Sequence, residues 1–245
     1  MKILLLFSLI VGSVFIVNGQ TRSYTNEAEQ NIRSMTNLVN GPGALGFDER
    51  YEGSKGTPYL FDQWRTAKAK MYGLDTFSAE IKMNVDLIRQ LMTIQLRDGT
   101  TGYISPFNIR SLIIEEPGGI KSQWVIRPEY QVEGGKNEQP KFYEVLHQGD
   151  DYTLLKETKK LLIKATFQQP YSVSRNYDEF VTEYHYWLKE GDAPFNKVTL
   201  RKKVLEKALS EKETSVRQIA KTQNIDVREE AGIVRLLEFL ETTER

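Results

Sequence analysis

Between Trp64 and about Leu188 the apolar residues recur at every second position, and no pattern of helix length interrupts them. A strand turns successive side chains to opposite faces, so this period restricts the segment to half-buried antiparallel strands. The clearest case sets Phe77, Ala79, Ile81, Met83 and Val85 on one face, with Ser78, Glu80, Lys82, Asn84 and Asp86 on the other. Met92, Ile94 and Leu96 repeat the alternation, and Arg97-Asp98-Gly99-Thr100 reads as a hairpin turn. Further strands are predicted at residues 103–104, 109–114, 124–126, 142–147, 152–156, 161–167 and 180–188. Turn signals recur at short intervals, Gly149-Asp150-Asp151 among them, which favours a meander over βαβ units.

At Gly191-Asp192-Ala193-Pro194 the period changes to that of a helix. Thr199 reads as an N-cap, after which Leu200, Val204, Leu205 and Ala208 fall on one helical face. A second helix is predicted over residues 214–222, with Val216, Ile219 and Ala220 inward. Asp226 and Glu229 resemble a capping box and open a third, carrying Ile233, Val234, Leu237 and Leu240. The predicted class is α+β: an antiparallel, curved β-meander or partial barrel over residues 57–190, then a helical segment over 191–245. Residues 20–56 are polar, rich in Asn, Glu, Ser and Gly, and read as a leader with a short helix around 28–39.

The first nineteen residues predict an export signal. Lys2 supplies the positive charge, residues 3–17 are almost all apolar, and Val17 and Gly19 place compact residues where a signal peptidase cuts. The apolar run is too short for a membrane span, so no integral span is expected and the address is periplasmic or secreted. Lys and Arg together number 33 and Asp and Glu 33, a balance that argues against a nucleic-acid partner. There is no cysteine. Disulfides, thiol catalysis and Cys-ligated metals are thereby excluded, and an exported chain of this kind folds by packing alone. No Asn-x-Ser/Thr sequon is present.

Chemistry-bearing residues are few. The two histidines, His147 and His185, fall in different predicted strands and belong to no H-x-H or H-E-x-x-H pattern, so no metal site is expected. Residues 177–187 hold the densest constellation. Asp178, Glu179 and Glu183 are interleaved with Tyr177, Phe180, Tyr184, Tyr186 and Trp187. Alternation puts Glu183, His185 and Trp187 on one face and Tyr184 and Tyr186 on the other. The two tyrosines are expected in the packed interior, with Tyr184→Ala costing about 3 kcal/mol and His185→Ala far less. Asp178, Glu183 and His185 are the catalytic candidates, with Glu179 beside them, because paired carboxylates serve glycoside hydrolysis. Trp187 and Tyr177 are the candidate ligand-binding rings. A core strand with one solvated face accounts for the same residues. Gly53-Ser54-Lys55-Gly56 lacks the spacing of a nucleophile elbow, and no phosphate-binding glycine pattern follows a strand. Residues 214–240 have the outline of a helix-turn-helix, which the export signal and neutral charge oppose.

The order of parts resembles a group of secreted or periplasmic Bacteroidota proteins with a β-meander and a charged helical tail. Carrying the resemblance are Gly56-Thr57-Pro58-Tyr59-Leu60, Phe142-Tyr143-Glu144-Val145-Leu146, Gly149 to Leu155, Tyr184-His185-Tyr186, and Asn224-Ile225 through Leu236-Leu237. It implies an address and a fold and brings no catalytic residue. The expected function is an exported, non-catalytic protein, without cofactor, that binds an envelope or secreted macromolecule or an apolar ligand. The alternative is a hydrolase acting on an envelope or environmental polymer through the carboxylates of the aromatic strand.

Overall fold

The computed structural model describes residues 37–38, 53–95, 99, 101–126, 140–165, 177–200 and 213–243. Its strands are β1 (Asn37–Leu38), β2 (Arg65–Met71), β3 (Ile81–Asp86), β4 (Leu91–Gln95), β5 (Thr101–Ile104), β6 (Ile109–Glu115), β7 (Lys121–Ile126), β8 (Phe142–Gln148), β9 (Tyr152–Ile163), β10 (Glu179–Glu190) and β11 (Asn196–Val198). Two helices follow, α1 (Glu213–Thr222) and α2 (Glu230–Thr243). The strands form one open sheet in the order β1-β5-β4-β3-β2-β6-β7-β8-β9-β10-β11. Every strand pair in it is antiparallel. This is the α+β plan that the change of period predicts, a curved meander followed by helices.

The curvature has a local cause. β5 pairs with β4, while β6, only four residues further on, pairs with β2 on the far side of β3. In a flat sheet β5 and β6 would stand about 19 Å apart, four strand spacings. So short a connection joins them only if β2–β6 roll. A 3-10 turn at Pro106–Asn108 makes the bend, with Ser105 Oγ accepting the Phe107 N–H at 3.4 Å. The roll encloses a core of Ala67, Ala69, Met71, Ile81, Met83, Val85, Met92, Ile94, Leu112, Ile114 and their neighbours.

β3 departs from the sequence reading in two ways. It starts at Ile81, and Phe77 is 39% exposed, joined to Lys70 only by an isolated bridge. Asn84 and Asp86, expected on a solvated face, are buried. The cover is a strap over residues 55–61, which alternation within β3 does not encode. The Phe61 N–H donates to Asn84 Oδ1 at 3.1 Å, and Asn84 Nδ2 donates to Phe61 O at 2.8 Å. Leu60 N–H donates to Val85 O, and Leu87 N–H to Pro58 O. At its other end the strap grips β10. Lys55 N–H donates to Asp178 O at 2.8 Å, and Phe180 N–H to Lys55 O at 2.9 Å. Gly56 turns the chain between the two with φ +84°, a conformation suited to glycine, and an added Cβ would sit 3.3 Å from Phe180. The strap thus clamps β3 to β10, and part of the predicted leader belongs to the folded body.

The helices cover the far end of the sheet. Val216, Ala220, Ile233, Leu236, Leu237 and Leu240 pack on Tyr152, Leu154, Tyr186, Leu188 and Val198. Asp226 Oδ1 accepts the Arg228 N–H at 3.0 Å in the turn before α2. The helix expected after Thr199 falls largely on residues 201–212, and the export signal on residues 1–19, both outside the described residues. Asn37 and Leu38 pair with β5 as a strand, where the sequence suggests the end of a short helix; residues 28–36 lie outside the described residues. Among the described residues no helix is long and apolar enough to cross a membrane.

Candidate functional site

The register of β8, β9 and β10 decides which side chains meet. Leu112 pairs with Trp124, Trp124 with Glu144, Glu144 with Lys156, Lys156 with Tyr186 and Tyr186 with Val198. Directly opposed residues share a face, so these form one row on the side that carries α2. The row is apolar at both ends and charged in the middle. The adjacent row runs through Val125, Tyr143, Glu157 and His185 on the opposite face. Each face therefore has one polar centre, and the two stand back to back.

On the helix-bearing face Lys156 Nζ lies 2.8 Å from Glu230 Oε1 and 3.7 Å from Glu144 Oε2. Tyr186 Oη donates to Glu230 Oε1 at 2.7 Å. Burial pushes the Glu144 carboxyl above its ordinary range, and the charges of Glu230 and Glu116 add to this against Lys156. Burial works to lower Lys156, but the hydrogen bond with Glu230 and the charges of Glu144 and Glu230 outweigh it, so the ammonium is held above its ordinary range. Burial, then the bond to Glu230, raises the Tyr186 phenol. Such clustering of displaced titrations occurs at structural ion networks as well as at active sites. Here every member is tied to α2 or to Lys156, which fits the former.

On the opposite face Glu157 is only 3% exposed. Trp187 Nε1 donates to its Oε2 at 3.2 Å. Lys159 and Lys141 approach Oε1 at 3.5 and 3.7 Å, and His185 Nδ1 lies 3.6 Å from Oε2. His185 Nε2 in turn lies 3.8 Å from Glu183 Oε2. Burial lowers His185, assisted by Lys159 and Lys197 and opposed by Glu157. Val125, Tyr143, Leu155 and Phe195 pack around this centre, with Val145 and Trp187 at its margin.

The residues singled out from sequence are only partly brought together. Glu183, His185 and Trp187 share the face that alternation assigns them, and all three converge on Glu157 directly or through His185. Asp178 stands apart. Its Oδ1 accepts the Ala165 N–H at 2.7 Å and its Oδ2 meets Lys164 Nζ at 3.0 Å, contacts that hold the carboxyl below its ordinary range. It closes the chain between β9 and β10 and is about 16 Å along the strand from Glu183. Glu179 pairs with Lys55 at 3.5 Å, and Lys55 also lies 5.8 Å from the ring centroid of Tyr177. Tyr184 corrects the reading of the faces. It shares a face with the buried Tyr186 but is 54% exposed, because α2 begins at Glu230 and reaches no further than Tyr186. Lys156 Nζ sits 4.7 Å from the Tyr184 ring centroid in place of a packed core.

His147 belongs to neither centre. Its Nε2 lies 3.4 Å from Glu241 Oε2, while Glu241 Oε1 accepts the N–H groups of Asp151 and Tyr152 at 3.2 and 3.1 Å. An added Cβ on Gly149 would run into that carboxylate. The C-terminal end of α2 is thereby latched to the β8–β9 turn. Among the described residues no group of three or more His, Asp or Glu is placed to hold a metal ion. A cavity of about 80 Å³ lies under the strap, lined by Tyr59, Phe61, Trp64, Asn84 and Thr93. It falls below the roughly 300 Å³ that a small-molecule site occupies. Comparison with protein-family models, with curated proteins and with solved structures finds no match.

Proposed function

We propose that the chain is an exported, non-catalytic protein that binds a macromolecular partner through the face of β8–β10 opposite α2. The exported address rests on Lys2 and the apolar run after it, and on the resemblance to secreted Bacteroidota proteins. One observation carries the binding reading. Leu161 and Ile163 are 44% and 42% exposed, and the register sets them on the same face as Val181, Glu183, His185 and Trp187. They adjoin the half-buried centre around Glu157, so aliphatic, aromatic and charged groups meet on one side of the sheet. Such a mixture is typical of a protein–protein interface. A macromolecule is favoured over an apolar small molecule because these groups lie on a sheet surface.

The test compares cross-linked capture from the native envelope by the wild-type chain and by the Leu161→Lys, Ile163→Lys double variant. A defined partner captured by the first and lost with the second is the expected result. Hydrolysis of a glycan, ester or peptide panel that disappears in Glu157→Gln or Glu183→Gln would overturn it in favour of the hydrolase.

A further inference from the structure

We infer that the free edge of β10 at residues 181–185 is a slot for one extended segment of a partner polypeptide, with a basic side chain opposite Glu183. This rests on the binding reading above and specifies its partner. β9 covers one edge of β10 along the whole strand. Among the described residues the other edge is covered only at its ends, by β11 at Tyr186, Trp187 and Leu188 and by Lys55 at Glu179. The bonds from Lys55 reach Asp178 O and Phe180 N, which fixes the phase of the strand. Even-numbered residues turn their main-chain groups outward, and odd-numbered residues turn theirs to β9. Thr182 and Tyr184 therefore direct both N–H and C=O into the gap. Among the described residues no main-chain bond reaches them from that side. An open row of this kind is a template for one more strand.

The size and charge of the gap select the occupant. Five residues span about 17 Å, and the strap and β11 stand at both ends. A guest strand must be short and must leave the sheet plane on either side. A second copy of this chain does not suit. The only two-fold register that leaves both Thr182 and Tyr184 free to pair sets Glu183 against Glu183, and opposed like charges are unfavourable. Glu183 is 48% exposed; among the described residues the His185 ring lies 3.8 Å away, and Lys159, directly across on β9, turns to Glu157 at 3.5 Å. A guest residue directly across from Glu183 in a non-hydrogen-bonded pair would have its Cα about 4.5 Å away, where Lys or Arg completes an ion pair. On the other side the exposed Tyr184 ring offers a surface for the neighbouring guest side chain.

The test uses the full chain and two capped peptides, acetyl-Thr-Val-Lys-Val-Thr-amide and its Lys→Glu counterpart, followed by amide NMR and hydrogen exchange. In the free chain the Thr182 and Tyr184 amides should exchange at least tenfold faster than those of Val181 and Glu183. The Lys peptide should shift and protect them, and the Glu peptide should not. Glu183→Lys should reverse that preference. Thr182→Pro removes an outward donor and leaves the ladder to β9 intact, since proline is tolerated where the N–H faces solvent; it should abolish binding. Equal protection of all four amides in the free chain, or peptide binding indifferent to both variants, would overturn the slot. If the partner lost by the Leu161→Lys, Ile163→Lys chain is still captured by Thr182→Pro and Glu183→Lys, the slot fails and the binding face stands. If no variant alters capture, the binding face fails too.

Discussion

β9 and β10 place a charged centre on each of their faces, and the two centres are satisfied in different ways. On the helix-bearing side Lys156 and Tyr186 depend on Glu230, which arrives from a helix more than forty residues further along the chain. On the opposite side Glu157 meets Trp187, Lys159 and Lys141, with His185 3.6 Å away, residues of the strands themselves or of the chain leading into β8. The first centre keeps a Lys156–Glu144 pair within the sheet but is completed only when α2 docks. The second is complete once three strands pair, and its rim is left open to solvent. A buried ion network that needs a tertiary partner locks a fold, whereas one completed within a sheet leaves its outer surface available to a partner.

The largest effect that would sharpen this contrast is expected at Tyr186. Tyr186→Ala opens a cavity under α2 and removes the bond to Glu230, and should cost about 3 kcal/mol in urea unfolding. A loss below about 1 kcal/mol would mean that α2 does not lock the sheet. Next is Glu157. Glu157→Gln removes the counter-charge that Lys159 and Lys141 approach at 3.5 and 3.7 Å. The expected cost is about 2 kcal/mol, with a change in near-ultraviolet dichroism as Trp187 loses its acceptor. An unchanged spectrum would break the picture of a self-contained centre.

At the α2 latch, Gly149→Ala and Glu241→Ala should each cost about 1 kcal/mol, and the double variant little more than either, because both remove the same contact. Full additivity would mean that the latch is not the unit described. Tyr184→Ala should cost about 0.5 kcal/mol or less, since the ring is exposed and, among the described residues, engages Lys156.

The smallest effect is in the pH dependence, where the faces have opposite signs. His185 is held below its usual 6.5, so in the window beneath that value the unfolded chain binds the extra proton. Its contribution is present above 6.5 and lost as pH falls through the folded value. Glu144 is held above its usual 4.5, so there the folded chain binds the extra proton. Its contribution is present below 4.5 and lost as pH rises through the folded value. Thermal melts across the acid range should lose one slope in His185→Gln and the opposite slope in Glu144→Gln.

Much of this was legible in single strands. Alternation alone separates Glu183, His185 and Trp187 from Tyr184 and Tyr186, and the change of period at Gly191 marks where helices take over from the long strands. What it misses is cover. Tyr184 and Tyr186 are equivalent by parity, and only the start of α2 makes one exposed and the other buried. Asn84 and Asp86 read as solvated until the strap lies on them. Glu157 carries no signal of its own, because a glutamate in Leu155-Lys156-Glu157-Thr158 is an ordinary strand residue until β8 and β10 are aligned beside it. The adjacent opposite charges of Lys156 and Glu157, mid-strand between apolar neighbours, were the available signal that both faces bury charge. Asp178 Oδ1 accepts the Ala165 N–H, and in sequence a carboxylate beside aromatics looks the same whether it closes a loop or faces a substrate.

The strap has a kinetic consequence. Its residues precede every long strand, yet its grip on Phe180 waits for β10, the last of them. Closing so large a loop is entropically slow, so the strap is expected to set late, after the sheet has assembled. Contacts formed late in folding act mainly on the rate of unfolding. A chain altered at Gly56 should therefore refold at nearly the normal rate and open faster, shortening the lifetime of the native state more than it changes the route to it.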